Sequence, residues 1–157
     1  MSIRFVHETS IQAPVELVFD LALDVDVHAA SMSSNKQRAV AGVTTGSVDL
    51  GDQVTWRATH FGMPFTMTTE ITELMRPQRF VEDQVKGAFR VFRHEYTFRA
   101  TDAGTDMTDH LEVQAPFPGL GRMIELVFLE RHFRQLIQAR ARYLKTEAEH
   151  CHRDRSR

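Results

Sequence analysis

The residues from Ala88 to Pro116 read AFRVFRHEYTFRATDAGTDMTDHLEVQAP and carry the clearest structural pattern in the chain. Side chains alternate between the two faces of a β-strand, so every second residue shares a face. The pattern predicts two strands joined by a turn at 101–104, where Gly104 supplies a backbone conformation that other residues disfavour. One face of each strand is mainly apolar: Phe92, His94, Tyr96, Phe98 and Ala100 on the first, and Met107, Asp109, Leu111, Val113 and Ala115 on the second.

The length of the turn sets the register of this hairpin. A slip of one residue would place Phe98 opposite Thr108 and mix the apolar face of one strand with the polar face of the other. In the matched register Asp109 lies diagonally across from His94, within reach of a side-chain contact. The predicted pairs are Ala100–Thr105, Phe98–Met107, Tyr96–Asp109, His94–Leu111 and Phe92–Val113.

Three polar side chains, His94, Tyr96 and Asp109, interrupt the apolar face. Polar groups that point into an apolar interior cost free energy unless they are paired. Two roles are therefore open. They form a buried hydrogen-bonded trio that fixes the register, or they serve a ligand as polar anchors or as an acid–base pair.

The rest of the chain predicts an α+β fold in the order β-α-α-β-β-β-β-β-β-α. Consecutive strands with short connections imply an antiparallel sheet, here with seven strands. A curved sheet wrapped on one long C-terminal helix leaves room for a small-molecule pocket between the two layers. In the strand at 79–85 each face mixes apolar and polar residues, Phe80, Glu82 and Gln84 on one and Val81, Asp83 and Val85 on the other, so its inward face is not assigned. The other predicted strands are 3–11, 38–45, 53–60 and 65–75, and the helices are 14–23, 24–30 and 120–147.

Length and composition favour one globular domain over 1–148, followed by a flexible tail at 149–157. The chain has 157 residues, of which 42% are hydrophobic and 25% charged, and its net charge of −2 is spread without a basic patch for nucleic acid. The single cysteine, Cys151, excludes an internal disulfide and suits a reducing cytoplasm. We expect no signal peptide and no stable membrane insertion, because no apolar run approaches the roughly 20 residues of a membrane helix.

Four segments, at 11–19, 71–80, 87–98 and 107–116, together with Arg131 and His132, give the chain a family resemblance. It resembles the START-like helix-grip superfamily, also called SRPBCC, and within it the small bacterial branch related to polyketide cyclases/dehydrases and lipid-transfer proteins. The resemblance implies a helix-grip fold with an internal cavity. It leaves the function open, because this superfamily includes lipid carriers, hormone receptors, cyclases and quinone-binding chaperones, and a fold does not fix chemistry.

These observations predict a protein that binds a hydrophobic small molecule, such as a lipid, quinone or polyketide, as a monomer or homodimer. The first alternative is a cofactor-free cyclase or dehydratase, in which His94 abstracts a proton, Asp109 orients the imidazole and Tyr96 stabilises an enolate. The second is a protein-interaction adaptor with a filled cavity. Binding is favoured over catalysis because the fold explains a pocket without a reaction. The predicted ligand-binding residues are Trp56, His60, Phe65, Met67, Phe92, His94, Tyr96, Phe98, Met107, Asp109, Phe133 and Ile137.

No metal or cofactor is expected. His7 and His60 sit on apolar strand faces and could join His94 and Asp109, but the four lie on separate strands without a ligand-spacing motif. Arg140 lies on the apolar stripe of the last helix. It either anchors an acid group of the ligand or, in the favoured interpretation, extends to solvent at the pocket mouth.

Overall fold

The computed structural model describes residues 2–116 and 122–157, and its helices and strands follow the predicted order. The predicted start of the last helix, near Leu120, lies outside the described residues. The strands are β1 (Ser2–Ile11), β2 (Arg38–Gly42), β3 (Gln53–His60), β4 (Met63–Met75), β5 (Arg79–Lys86), β6 (Val91–Thr101) and β7 (Gly104–Gln114), and the helices are α1 (Val15–Ala22), α2 (Val25–Ser31) and α3 (Arg122–Arg155).

The seven strands form one antiparallel sheet in the order β1-β7-β6-β5-β4-β3-β2. Neighbours in the chain are neighbours in the sheet, except that β1 pairs with β7. Helix α3 packs against β1, α1 and α2, so the sheet and the long helix form two layers. The predicted α+β fold is confirmed. Within the described ranges, no helix is long and apolar enough to cross a membrane.

The predicted register of the β6–β7 hairpin is confirmed for all five pairs. Gly104 begins β7 with φ +144°, and a Cβ atom there would lie 2.2 Å from the carbonyl oxygen of Ile11. The turn therefore needs glycine for two reasons, its backbone conformation and its close approach to the end of β1. Thr105 adds a hydrogen bond from Oγ1 to the carbonyl oxygen of Ala13, at 2.7 Å.

Three element ends differ from the sequence prediction by two residues or more. Strand β4 begins at Met63 rather than at residue 65, so the turn before it is shorter than predicted. Strand β2 ends at Gly42 rather than at residue 45, because a φ of +72° turns the chain out of the sheet there. Helix α3 continues to Arg155, so the tail predicted at 149–157 is helical over most of its length. Near this end, side-chain contacts four residues apart support the helix: Lys145–Glu149 and His150–Asp154.

The buried apolar residues form two clusters. The larger one surrounds α1, where the ring of Phe19 makes edge contacts with Phe80 and Phe98 at centroid distances of 5.6 and 5.2 Å. The smaller one joins β1 and β7 to α3 through Phe133 and Ile137. A cavity lies where the two clusters meet, since residues of both line it.

Candidate ligand-binding site

The cavity between the sheet and α3 has a volume of about 190 Å³. Its wall is mainly apolar, as the sequence predicts for a hydrophobic ligand. Because this space is open, the structure gives no support to an adaptor whose cavity is filled. Nine of the twelve predicted residues line it: Trp56, His60, Phe65, Met67, Phe92, His94, Tyr96, Phe133 and Ile137.

Phe98, Met107 and Asp109, which are also predicted to bind the ligand, do not line the cavity. Phe98 and Met107 are buried in the cluster around α1. Asp109 lies behind His94. The inward face of the hairpin is longer than the cavity, and α1 covers the end near the turn. Alternation along a strand assigns a face but does not tell which element covers each part of that face.

The cavity also has lining residues that the prediction missed. On α3 they follow the three- and four-residue spacing of the predicted stripe, so His132 is recognisable from its place one turn after Leu129. Glu82 was missed because the faces of its strand were not assigned. The stacking of Phe80 on Tyr96, with ring centroids 4.3 Å apart, now shows which face of β5 points inward. The missed lining residues include His28, Met32, Gln37, Phe61, Glu82, Phe89, Leu129, His132 and Leu136.

His94 and Asp109 form a buried pair, as the diagonal register predicts. His94 Nε2 lies 2.9 Å from Asp109 Oδ1, and each residue is 3% exposed. A carboxylate only accepts hydrogen bonds, so Nε2 carries the hydrogen and Nδ1 of the neutral ring has a free lone pair. The imidazole stacks on the ring of Tyr96 at a centroid distance of 3.8 Å. Among the described residues, Asp109 Oδ2 has no hydrogen-bond partner.

Tyr96 does not complete a hydrogen-bonded trio, because its hydroxyl accepts a hydrogen bond from Arg140 instead. Burial raises the pKa of the Tyr96 hydroxyl well above its ordinary value, although the charge of Arg140 opposes this shift. The hydroxyl is therefore neutral. Since its oxygen accepts from Arg140, its hydrogen is free to donate to a ligand oxygen.

Arg140 is 6% exposed, so the interpretation that it extends to solvent is wrong. Its Nη2 donates to the carbonyl oxygen of Ala22 at 3.0 Å, and its Cζ lies 4.8 Å from the centroid of the Tyr96 ring. These contacts hold the guanidinium beneath the end of α1. Its charge stays at the cavity wall rather than in water.

A histidine pair joins β3 to α3 at the cavity wall, where His60 Nδ1 lies 2.9 Å from His132 Nε2. The exposed ring of Phe61 covers His132 at a centroid distance of 4.5 Å. Burial lowers the pKa of both histidines, and the charge of His132 lowers that of His60 further. These rings face each other rather than the His94–Asp109 pair, and His7 does not line the cavity. In the part of the chain that the structure describes, no group of three His, Cys, Asp or Glu side chains is placed to hold a metal.

His28 forms another part of the wall. Its ring stacks on Trp56 at 4.4 Å, and its Nε2 lies 2.8 Å from Gln37 Nε2. The pKa of His28 lies well below its ordinary value because of burial first, and then because of the positive charge of Arg140. His28 is thus neutral near pH 7.

We expect mild acid to destabilise the protein through these histidines. A histidine whose pKa is lower in the folded chain than the roughly 6.5 of the unfolded chain binds more protons when unfolded. Its contribution is therefore complete above about pH 6.5 and is lost as the pH falls, by at most about 1.4 kcal/mol per pH unit. His28→Phe keeps a ring against Trp56 but removes the titrating group. Its free energy of unfolding in urea should therefore change less between about pH 7 and 5 than that of the native protein. Substitution of the exposed His150 by glutamine, His150→Gln, is the control. If the free energy of unfolding of His28→Phe changed with pH as much as that of the native protein, His28 would not be a source of the acid sensitivity.

Comparisons with known proteins agree with this architecture. A family model for polyketide cyclase / dehydrase and lipid transport matches residues 2–149. No curated protein matches the sequence. The ZhuI aromatase/cyclase from Streptomyces sp. R1128 is a similar solved structure, with a TM-score of 0.75, 19% identity, and coverage of 95% of this chain and 94% of that one.

Two further solved structures share the fold at low identity. TTHA0849 from Thermus thermophilus has a TM-score of 0.70 and 18% identity, with coverage of 94% of this chain and 99% of that one. The major latex-like protein 151 from Panax ginseng has a TM-score of 0.68 and 11% identity, with coverage of 94% and 97%. At these identities the likeness shows the helix-grip fold alone.

Proposed function

The chain belongs to the polyketide cyclase / dehydrase and lipid transport family, and we propose that it binds a hydrophobic small molecule in the cavity between the sheet and α3. The observation that carries this proposal is a mainly apolar cavity of about 190 Å³ with its few polar groups on the wall. A cavity of roughly 150 Å³ holds one benzene molecule, so this one suits a slightly larger ring system or a short acyl chain. Met32 and Met67 line it, and their flexible side chains allow it to widen.

A carbonyl or hydroxyl oxygen of the ligand fits against Tyr96. The Tyr96 hydroxyl already accepts from Arg140 and therefore offers its hydrogen. A donor held in this way orients a ligand at little entropic cost, because Tyr96 is 1% exposed and stacked between His94 and Phe80. The apolar part of the ligand then contacts the aromatic and methionine side chains.

Filling the cavity should abolish binding. Ala58 lines the cavity and is 6% exposed, so Ala58→Leu places three more carbon atoms in the ligand space. We expect 2-acetylnaphthalene to bind the native protein with one-to-one stoichiometry in calorimetry, and Ala58→Leu to weaken it at least about tenfold, equal to about 1.4 kcal/mol. Ala41→Leu, on the exposed part of β2, is the matched control.

Thermal unfolding of both variants separates lost binding from lost folding, since overpacking costs about 1–3 kcal/mol. Native protein that does not bind the probe, or a folded Ala58→Leu variant that binds it as well as native protein, would contradict the proposal.

A cyclase or dehydratase is the second candidate, and the His94–Asp109 pair beside Tyr96 favours it. His94 Nδ1 would take a proton from the carbon next to a ligand carbonyl. The electrons of the broken C–H bond would move into the carbonyl oxygen, where the Tyr96 hydroxyl would hold the charge, while Asp109 would stabilise the imidazolium.

This candidate is tested by deuterium exchange into the methyl group of bound 2-acetylnaphthalene, followed by NMR. His94→Gln keeps a donor for Asp109 and should slow protein-dependent exchange by about 100-fold or more. Exchange at the rate of the free ketone in native protein would leave binding as the function.

A further inference from the structure

We propose that the ligand of this cavity is a carboxylic acid whose carboxylate binds the guanidinium of Arg140. The inference rests on the proposed binding function and names the chemical class of the ligand. It starts from a buried positive charge for which the described part of the chain provides no carboxylate partner.

Arg140 is 6% exposed, and its two hydrogen bonds go to neutral oxygens, the Tyr96 hydroxyl and the Ala22 carbonyl. Glu82 also lines the cavity, but its Oε1 accepts a hydrogen bond from Thr69 Oγ1 at 2.5 Å, and among the described residues no ion pair joins it to Arg140. Burying an ion costs several kcal/mol unless an opposite charge compensates it. A cation kept in such a place is therefore suited to an anion that arrives from outside.

The outer surface shows the opposite arrangement. Six exposed or half-exposed arginines there each contact a carboxylate, in surface ion pairs that contribute little to stability. These six arginines have acidic partners, while the buried Arg140 lines an open cavity. The paired arginines include Arg4, Arg76, Arg79, Arg93, Arg99 and Arg134.

The chemistry of the wall also suits a carboxylate. A guanidinium has five N–H donors in a planar fork, and the two hydrogen bonds seen for Arg140 leave donors for a ligand. Tyr96 offers its hydroxyl hydrogen. The indole N–H of Trp56, which lines the same cavity, has no acceptor within the described ranges. A carboxylate has about four lone-pair sites, more than a ketone, and so it satisfies several donors at once.

The charge of Arg140 also acts across the wall, since it lowers the pKa of His28. This effect is expected of a cation that no anion neutralises nearby.

The test compares two probes of nearly equal shape, 2-naphthoate and 2-acetylnaphthalene, in which a carboxylate oxygen replaces a methyl group. At about pH 8, where the acid is ionised, we expect native protein to bind 2-naphthoate roughly 10–100-fold more tightly, the range of a charge-assisted hydrogen bond. In Arg140→Met the dissociation constants of the two probes should differ by no more than about threefold. Arg140→Gln keeps a donor for Tyr96 or Ala22 without the charge, and it should lose the preference in the same way.

The outcomes distinguish this inference from the binding function. Equal affinity of native protein for both probes, or a preference that survives in either variant, overturns the acid ligand and leaves hydrophobic binding intact. Failure of native protein to bind either probe overturns both. Arg140→Gln carries the test if Arg140→Met does not fold, and urea unfolding without ligand checks each variant.

Discussion

His94→Phe should lower the free energy of unfolding by about 3–5 kcal/mol, because it leaves the buried Asp109 carboxylate without its hydrogen-bond partner. The reason is Asp109, which is 3% exposed and whose Oδ1 contacts only His94 Nε2 among the described residues. Its Oδ2 already has no partner there. Removing the imidazole would leave a buried carboxylate with no hydrogen bond, and the apolar phenyl ring of the new side chain cannot offset this cost. Urea unfolding at about pH 7 measures the loss.

Two further variants test whether the unpaired Asp109 carboxylate causes the loss of stability in His94→Phe. Asp109→Asn keeps an acceptor for His94 and should cost less, about 1–3 kcal/mol. In the double variant His94→Phe/Asp109→Leu no buried charge remains, so much of the loss should be recovered. A loss below about 1 kcal/mol in His94→Phe, or simple additivity in the double variant, would contradict a buried Asp109 that depends on the hydrogen bond from His94.

Gly104→Ala should be comparably severe, at about 3 kcal/mol or more. The added Cβ atom would lie 2.2 Å from the Ile11 carbonyl oxygen and 2.9 Å from the Ala13 nitrogen. Both are backbone atoms, so no side-chain rotation relieves the contact. The end of β1 would have to move away from β7, with loss of the Thr105–Ala13 hydrogen bond. The free energy of unfolding in urea and the yield of folded protein report this effect.

Gly62→Ala is the matched control for this prediction. Gly62 has φ +75°, yet nothing lies within 4 Å of a Cβ atom placed there. In Gly62→Ala the free energy of unfolding should therefore fall only by the cost of placing alanine in this backbone conformation, about 1 kcal/mol. Equal losses in the two variants would show that the contact between the hairpin turn and β1 does not matter.

The hairpin could be predicted from sequence because the residues that determine its register are close together in the chain. The alternation of 88–116 and the position of Gly104 leave one register in which the apolar faces match, and that register places Asp109 beside His94. The order of elements follows from the same kind of local pattern. The end of α3 does not, because the helix continues to Arg155 beyond Ala148, the last of its buried apolar residues.

The lining of the cavity could be predicted only in part, because it depends on contacts between distant segments. Phe98 and Met107 alternate like the true lining residues, but α1 covers them. Arg140 looks like a side chain that reaches water, yet its partners Tyr96 and Ala22 are 44 and 118 residues away in the chain. No local pattern contains this information.

Membership of the family supports a hydrophobic-ligand or cyclase role, and both proposals use the same cavity. They differ in the role of His94, which in the first only lines the cavity and in the second also takes a proton from the ligand. Binding comes first in either case, so occupation of the cavity is the claim on which the account depends.

Methionine methyl NMR tests that claim most directly, because the chain has its own controls. Met32 and Met67 line the cavity, Met107 is buried at 1% exposure in the cluster around α1, and Met75 is 58% exposed. With ¹³C-labelled methionine methyl groups, saturating 2-acetylnaphthalene should shift the signals of Met32 and Met67 and leave those of Met107 and Met75 in place. Shifts confined to Met75, or no saturable shift of Met32 and Met67, would contradict a ligand in this cavity.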